Sequence, residues 1–260
     1  MIKPNVAVLK TDGINCEEEM VNAFEVAGGQ PQLIHVNQLR SGEYKLDDCG
    51  ILAIPGGFSY GDDTASGKVL ANELTSYLSD ELMDFVDKGR PVIGVCNGFQ
   101  VLVRTGLLPN QTIGEQQLTL ADNEIGRFEC RWIDLAVGQS ACKFIQPGDF
   151  EERPIPMQTA HGEGRLLGSA DAIQELEDGK QVVFRFADQS GNATSVYPQN
   201  PNGAMNSIAG ICDPSGTVLG MMPHPERSIA SFHPHRTRTE TARKAANTIF
   251  ANIVNHAREM

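Results

Sequence analysis

Three short segments of this chain carry residue types that do covalent chemistry. "PVIGVCNGFQ" (91–100) ends an apolar run on Cys96 and turns at once into Asn97 and Gly98. Such a run reads as a buried parallel strand, and a strand that feeds a helix delivers its last side chain to the ligand-binding edge of a sheet. A thiol there faces the unpaired amides of a helix start, which favour the nucleophilic thiolate. Gly94 and Gly98 complete the Gly-x-Cys-x-Gly spacing of a sharp nucleophile turn. "PHPER" (223–227) sets His224 and Glu226 two residues apart, so in an extended segment both side chains leave one face, on a backbone stiffened by Pro223 and Pro225. A carboxylate beside an imidazole fixes its tautomer and stabilises its protonated form. "PGGFSYGDD" (55–63) follows the strand-like "ILAIP". The backbone N–H groups of its Gly56-Gly57 pair can approach a ligand closely and, with the amide of Asn97, hold an oxyanion.

Taken singly, each segment also has an ordinary reading. Cys96 fits a small core filler, His224 an exposed turn residue, Glu226 a partner for Arg227, and the glycine pair a plain strand-to-loop turn. Their common placement at the C-terminal edge of a sheet is what joins them as nucleophile, base, orienting acid and oxyanion donors.

The elements that position them alternate through the first half of the chain. Strand-like runs at 5–9, 32–36, 50–57 and 91–96 are separated by helical patterns at 16–28, 69–89 and from Asn97 onward. That order implies right-handed βαβ crossovers and a doubly wound, mostly parallel α/β sheet with helices on both faces. From about 115 to 220 the pattern turns to strands at 127–137, 181–188 and 206–223, the last carrying a "DPSG" turn that signals a small antiparallel hairpin region. A closing helix is expected over 237–257, with Thr239, Ala242, Ala246, Ile249, Phe250, Ile253 and Val254 on one stripe. At 260 residues without a linker-like stretch, the chain reads as one domain, 1–260.

Composition narrows the function classes. With 21 Lys+Arg against 33 Asp+Glu, the net charge of −12 repels a polyanion, so a nucleic-acid partner is not expected. The start "MIKPNVAVLK" lacks the features of a signal peptide, and no run reaches membrane-spanning length; a cytoplasmic protein without membrane attachment is expected. Six cysteines lie scattered without a CxxC pair, which predicts reduced thiols and no metal centre.

The three segments together resemble the class I glutamine amidotransferases, with Cys96, His224 and Glu226 matching that family's catalytic triad. "GGFSYGDD", "CNGFQVLVRTGLLP", "AHGEGR" (160–165), "NPNGAMNSIAGI" (200–211) and "GMMPHPERS" (220–228) are similar to the branch of glutaminase subunits that serve phosphoribosylformylglycinamidine synthase in purine biosynthesis. The resemblance implies that L-glutamine is hydrolysed to glutamate and ammonia, with Gly57 and Asn97 as oxyanion hole. It further implies Gly56, Gln100, Arg127 and Phe128 near the bound substrate and His161 in a supporting role. Ammonia would pass to a synthetase subunit that carries ATP and Mg²⁺, this chain holding no cofactor; use of a small accessory subunit is left open. At Asp63, Thr64 and Ala65 the chain departs from the branch pattern in a loop that helps meet the synthetase, and extra residues are expected near 138–155 and 228–238. Competing readings are a glutaminase of another amidotransferase, a noncatalytic binding subunit that keeps the fold, against which the intact Cys96, His224 and Glu226 speak, and a PfpI-like cysteine hydrolase. In the latter a histidine tends to follow the cysteine, where Asn97 stands here.

Overall fold

A computed structural model describes residues 2–229 and 236–260, without the side chains of 236–238. Its strands are β1 (Asn5–Lys10), β2 (Gln30–His35), β3 (Ile51–Ile54), β4 (Val92–Val95), β5 (Leu118–Asp122), β6 (Glu129–Val137), β7 (Ile155–His161), β8 (Glu163–Gly168), β9 (Val182–Ala187), β10 (Ile208–Cys212) and β11 (Val218–Met221). The helices are α1 (Glu17–Val26), α2 (Val36–Ser41), α3 (Lys68–Tyr77), α4 (Ser79–Asp87), α5 (Asn97–Thr105), α6 (Ala170–Asp178) and α7 (Arg236–Arg258).

The main sheet runs β2-β1-β3-β4-β11-β10-β9-β6-β7. The strands from β2 to β11 in that order are parallel, and those from β11 to β7 pair antiparallel. The apolar runs of β3, β4 and β11 are buried on both faces, as central parallel strands require. Strand order reverses at β1, so right-handed crossovers place α1 and α3 on opposite faces. A crevice opens at such a reversal, outside the carboxyl ends of the strands.

Four adjacent parallel strands, β1, β3, β4 and β11, therefore release their following loops at one edge: residues 11–16, 55–58, Cys96 and His224. The antiparallel half reaches well beyond the β10–β11 hairpin, where Asp213 accepts from the amide of Gly216 at 3.0 Å. It includes β7, which sequence periodicity passes over along with β5, β8 and α6. The helical pattern at 69–89 is broken in two, because Leu78 leaves helical dihedrals (φ −131°, ψ 13°) and turns its buried side chain inward between α3 and α4.

The closing helix α7 buries Ala242, Ala246, Ile249, Phe250, Ile253 and Val254, with Phe250 edge-on to Phe24 of α1 at 5.1 Å. Of the segment 138–155, residues 138–154 form a loop with one tight turn at Pro147–Asp149 and bury Cys142, Phe144, Ile145 and Phe150, while Ile155 opens β7. The second extra segment, 228–238, lies largely outside the described residues. Among the described residues no helix is long and apolar enough to cross a membrane.

Candidate active site

Cys96 sits between β4 and α5 with φ 51° and ψ −106°, a left-handed conformation that is strained for a residue with a side chain. The amide of Cys96 donates to Met221 O at 2.8 Å and its carbonyl accepts from Gln100 N at 3.1 Å, so β11 and the first turn of α5 hold the strained residue from both sides. Close packing under the turn requires Gly98, where an added Cβ would lie 1.9 Å from the carbonyl oxygen of Ile54. The thiol points to the edge of the sheet, 3.6 Å from Ala160 O, and lines a pocket of about 220 Å³.

His224 enters the same pocket from the end of β11, its amide bonded to Gln158 O at 2.8 Å. Its Nδ1 lies 2.6 Å from Glu226 Oε1, with both side chains buried. A carboxylate only accepts, so Nδ1 carries the proton and Nε2 is left as the outward atom; Nε2 is buried and has no hydrogen-bond partner among the described residues. The pairing does not come from an extended segment. Pro225 takes helical dihedrals and Glu226–Ser228 form a tight turn, which folds the carboxylate back onto the ring. Burial opposes a charge on His224, but the Glu226 carboxylate and the neighbouring thiols of Cys96 and Cys16 prevail and hold the imidazole well above its usual value.

The glycine pair divides its work. Gly57 lines the pocket, whereas Gly56 lies behind it: an added Cβ there would come within 2.7 Å of His224 Cε1, and its carbonyl accepts from the amides of Asn15 and Cys16. Asn97 opens α5, where the first amides lack intrahelical acceptors. The Asn97 side chain accepts from Ser59 N at 3.2 Å and donates to Asp62 Oδ1 at 3.3 Å and Gln100 Oε1 at 3.0 Å. It thereby ties the loop after β3 to the turn at Cys96.

Gln100 also lines the pocket, but its amide is engaged by Glu163 O at 2.5 Å. Phe128 is half exposed at the mouth, its ring 6.4 Å from that of Phe58. Arg127 lies outside the pocket lining, bonded to Glu129 at 3.1 Å and to Tyr197 Oη at 2.9 Å. His161 is buried in the pocket wall, its Nδ1 2.9 Å from Asn123 Oδ1 and its Nε2 3.5 Å from Asn202 Nδ2. Burial, reinforced by the charge of His224, pushes it down to about 3.

Sequence reasoning passes over three residues that the fold brings here. Asn123 and Asn202 fix the His161 ring, and Cys16 lies beside His224 with Arg227 Nη2 donating to its sulfur at 3.1 Å. A signal for Cys16 exists, since it stands between β1 and α1 as Cys96 stands between β4 and α5. A thiol, a carboxylate-steadied imidazole and amides at a helix start, meeting at one pocket, are the parts needed for acyl transfer.

The model of the CobB/CobQ-like glutamine amidotransferase domain matches residues 3–257. The phosphoribosylformylglycinamidine synthase subunit PurQ of Methanococcus maripaludis is 42% identical over 263 residues, covering 98% of this chain and 95% of that protein. The subunit of the same name from Dehalococcoides mccartyi is 42% identical over 263 residues and covers 100% of both. Among solved structures, a chain of PurLQS from Thermotoga maritima superposes with a TM-score of 0.74 at 30% identity, over 98% of this chain and 99% of that one.

Proposed function

This chain belongs to the CobB/CobQ-like glutamine amidotransferase family, and from that premise we propose that it is the glutaminase subunit of phosphoribosylformylglycinamidine synthase. Full-length similarity to subunits of that name supports the reading. The observation that carries it is the approach of the strained Cys96 turn and the buried His224–Glu226 pair to one pocket.

In the proposed reaction Cys96 Sγ attacks the side-chain carbonyl carbon of L-glutamine, and the C=O electron pair moves onto an oxygen held by the amides of Gly57 and Asn97. Donors of this kind are worth about 3 kcal/mol of barrier each. Collapse of the adduct breaks the C–N bond, with His224 giving its proton to the departing ammonia. The γ-glutamyl thioester is then cleaved by water, whose proton His224 takes, releasing glutamate and the thiol. Glu226 keeps the ring in the tautomer both steps need. Gly56 serves this site from behind the imidazole. Gln100 and Phe128 shape the substrate pocket, Arg127 braces Glu129 and Tyr197 outside its lining, and His161 supports the wall.

In this reading the chain works as one cytoplasmic domain and needs no cofactor of its own. Ammonia passes to a synthetase subunit that binds ATP and Mg²⁺, with or without a small accessory subunit. The test is labelling by a glutamine-mimicking electrophile such as a diazoketone analogue. Modification should map to Cys96, vanish in Cys96→Ser and speed up when the synthetase subunit is added; labelling elsewhere, with no ammonia released from glutamine, overturns the assignment.

A further inference from the structure

Two carboxylates in the pocket have no part in that mechanism. Asp62, from the loop after β3, and Glu163, which opens β8, both line it together with Cys96 and His224. Ser66 stands between them: its hydroxyl donates to Asp62 Oδ2 at 2.9 Å and its amide to Glu163 Oε2 at 3.4 Å. Asp62 Oδ1 accepts from Asn97 Nδ2 at 3.3 Å. These partners are all neutral, and among the described residues no cationic side chain is paired with either acid. Burial raises Asp62 above the usual carboxylate range, and the charge of Glu163 raises it further. Two like charges held close without a counter-ion are relieved by a cation arriving from the pocket. A separate observation points to a ligand there: His224 is 1% exposed and lines the same pocket, and its Nε2 has no hydrogen-bond partner among the described residues. The volume of about 220 Å³ admits a small amino acid.

We infer that Asp62 and Glu163 together bind the α-ammonium group of the substrate, and so select an α-amino acid over other small carboxamides. This role rests on the glutaminase reading and deepens it: Cys96 and His224 act on the side-chain amide, and the acid pair holds the other end of the molecule. An ammonium offers three N–H donors, and both carboxylates keep unused lone pairs to accept them. Such charge-assisted hydrogen bonds are about twice as strong as neutral ones. The same pair repels an α-carboxylate, which is therefore turned away from Ser66. With ammonium and amide both held, the D-enantiomer would exchange hydrogen and carboxylate at Cα, so handedness is read at the same place. Asn97 touches both ends of the ligand: its backbone amide holds the oxyanion in the proposed reaction, and its side chain bonds Asp62. Nothing local in the chain joins the two acids, because Asp62 stands in "GGFSYGDD" and Glu163 in "AHGEGR", and only the fold brings both to Ser66.

The experiment uses the full chain with the synthetase subunit and compares ammonia release from L-glutamine with that from glutaramate, the analogue lacking the α-amine. The parent should prefer glutamine in kcat/KM by roughly 100-fold or more. Asp62→Asn and Glu163→Gln keep shape and hydrogen bonding but lose the charge; each should cut that preference by about tenfold or more, mainly through a higher KM for glutamine. Alkylation of Cys96 by the uncharged reagent iodoacetamide shows whether the nucleophile turn survives each change, with Asp62→Ser and Glu163→Ala as second variants. A merely structural role lowers both substrates alike, so a preference unchanged in the variants overturns the inference while the glutaminase reading stands. If no ammonia is released, calorimetry with L-glutamate on Cys96→Ser decides separately. Binding weakened about tenfold or more by adding Asp62→Asn or Glu163→Gln would leave the ammonium site standing and remove the functional reading. No binding, or binding indifferent to both acids, would remove the inference as well.

Discussion

The amide of Cys96 donates to the carbonyl of Met221 at 2.8 Å, which joins the end of the strand carrying the thiol to the end of the strand leading to the imidazole. The pair is thus set by the sheet, and what remains variable is the orientation of the ring, which Glu226 controls. Glu226→Gln keeps a hydrogen-bonding group but removes the charge. We expect kcat for glutamine hydrolysis to fall roughly 10²- to 10⁴-fold with KM within about twofold, because the acid acts on proton transfer and not on substrate contact. Steady-state ammonia release checks this; a change confined to KM would contradict it.

Gly98 is the second dependence of the turn. An added Cβ would lie 1.9 Å from Ile54 O and 2.7 Å from Ile54 C, both backbone atoms of a buried central strand that cannot step aside. Gly98→Ala should destabilise the fold by about 1–3 kcal/mol, as overpacking does, and slow labelling of Cys96 by the electrophile. Urea midpoints and labelling rates measure the two effects; a variant as stable and as reactive as the parent would refute the packing argument.

Much of this site was legible in the chain because its signals are local. Glycines flanking Cys96, a carboxylate two residues from His224 and a glycine pair after an apolar run are each short-range patterns with a backbone reason. The turn at Pro225, which brings Glu226 to the ring, is also local, yet alternation suggested an extended segment there. The missing parts have no local signal. β7 carries Ala160 and His161 to the pocket, but its run "IPMQTAH" contains a proline and its buried face holds the polar Thr159 and His161 beside Ile155 and Met157, so no clean apolar period marks it as a strand. Asn123, Asn202 and Cys16 reach the site from separate loops, and only the strand order decides that they meet.

Asn97 links two of those loops. Its side chain bonds Ser59 N, Asp62 and Gln100, and is 1% exposed. Asn97→Ala leaves the buried amide of Ser59 without its acceptor, at about 1–3 kcal/mol in stability. It also frees the Gly57 amide from its register with the helix start, so kcat/KM should drop by about 10- to 100-fold, the lower part of the range for losing an oxyanion donor. Loss of stability with unchanged kcat/KM would confine Asn97 to a structural role.

His161 and His224 pull the pH dependence of stability in opposite directions. His161 is held at about 3, against 6.5 ordinarily, chiefly by burial. Between those values the unfolded chain binds a proton that the folded chain refuses, so stability falls as pH drops through that window, by about 2 kcal/mol from pH 6.5 to 5. His224 is raised, so the stability its pairing with Glu226 gives is fully present below about 6.5 and is lost as pH rises through its folded value. In urea unfolding across pH 5–9, His161→Gln should flatten the acid limb and leave the alkaline limb alone, whereas Glu226→Gln should flatten the alkaline limb. An acid limb unchanged in His161→Gln would mean that the ring is protonated in the folded state. The Asn123 contact, which needs a proton on Nδ1, would survive such a change, but the Asn202 amide could no longer donate to Nε2.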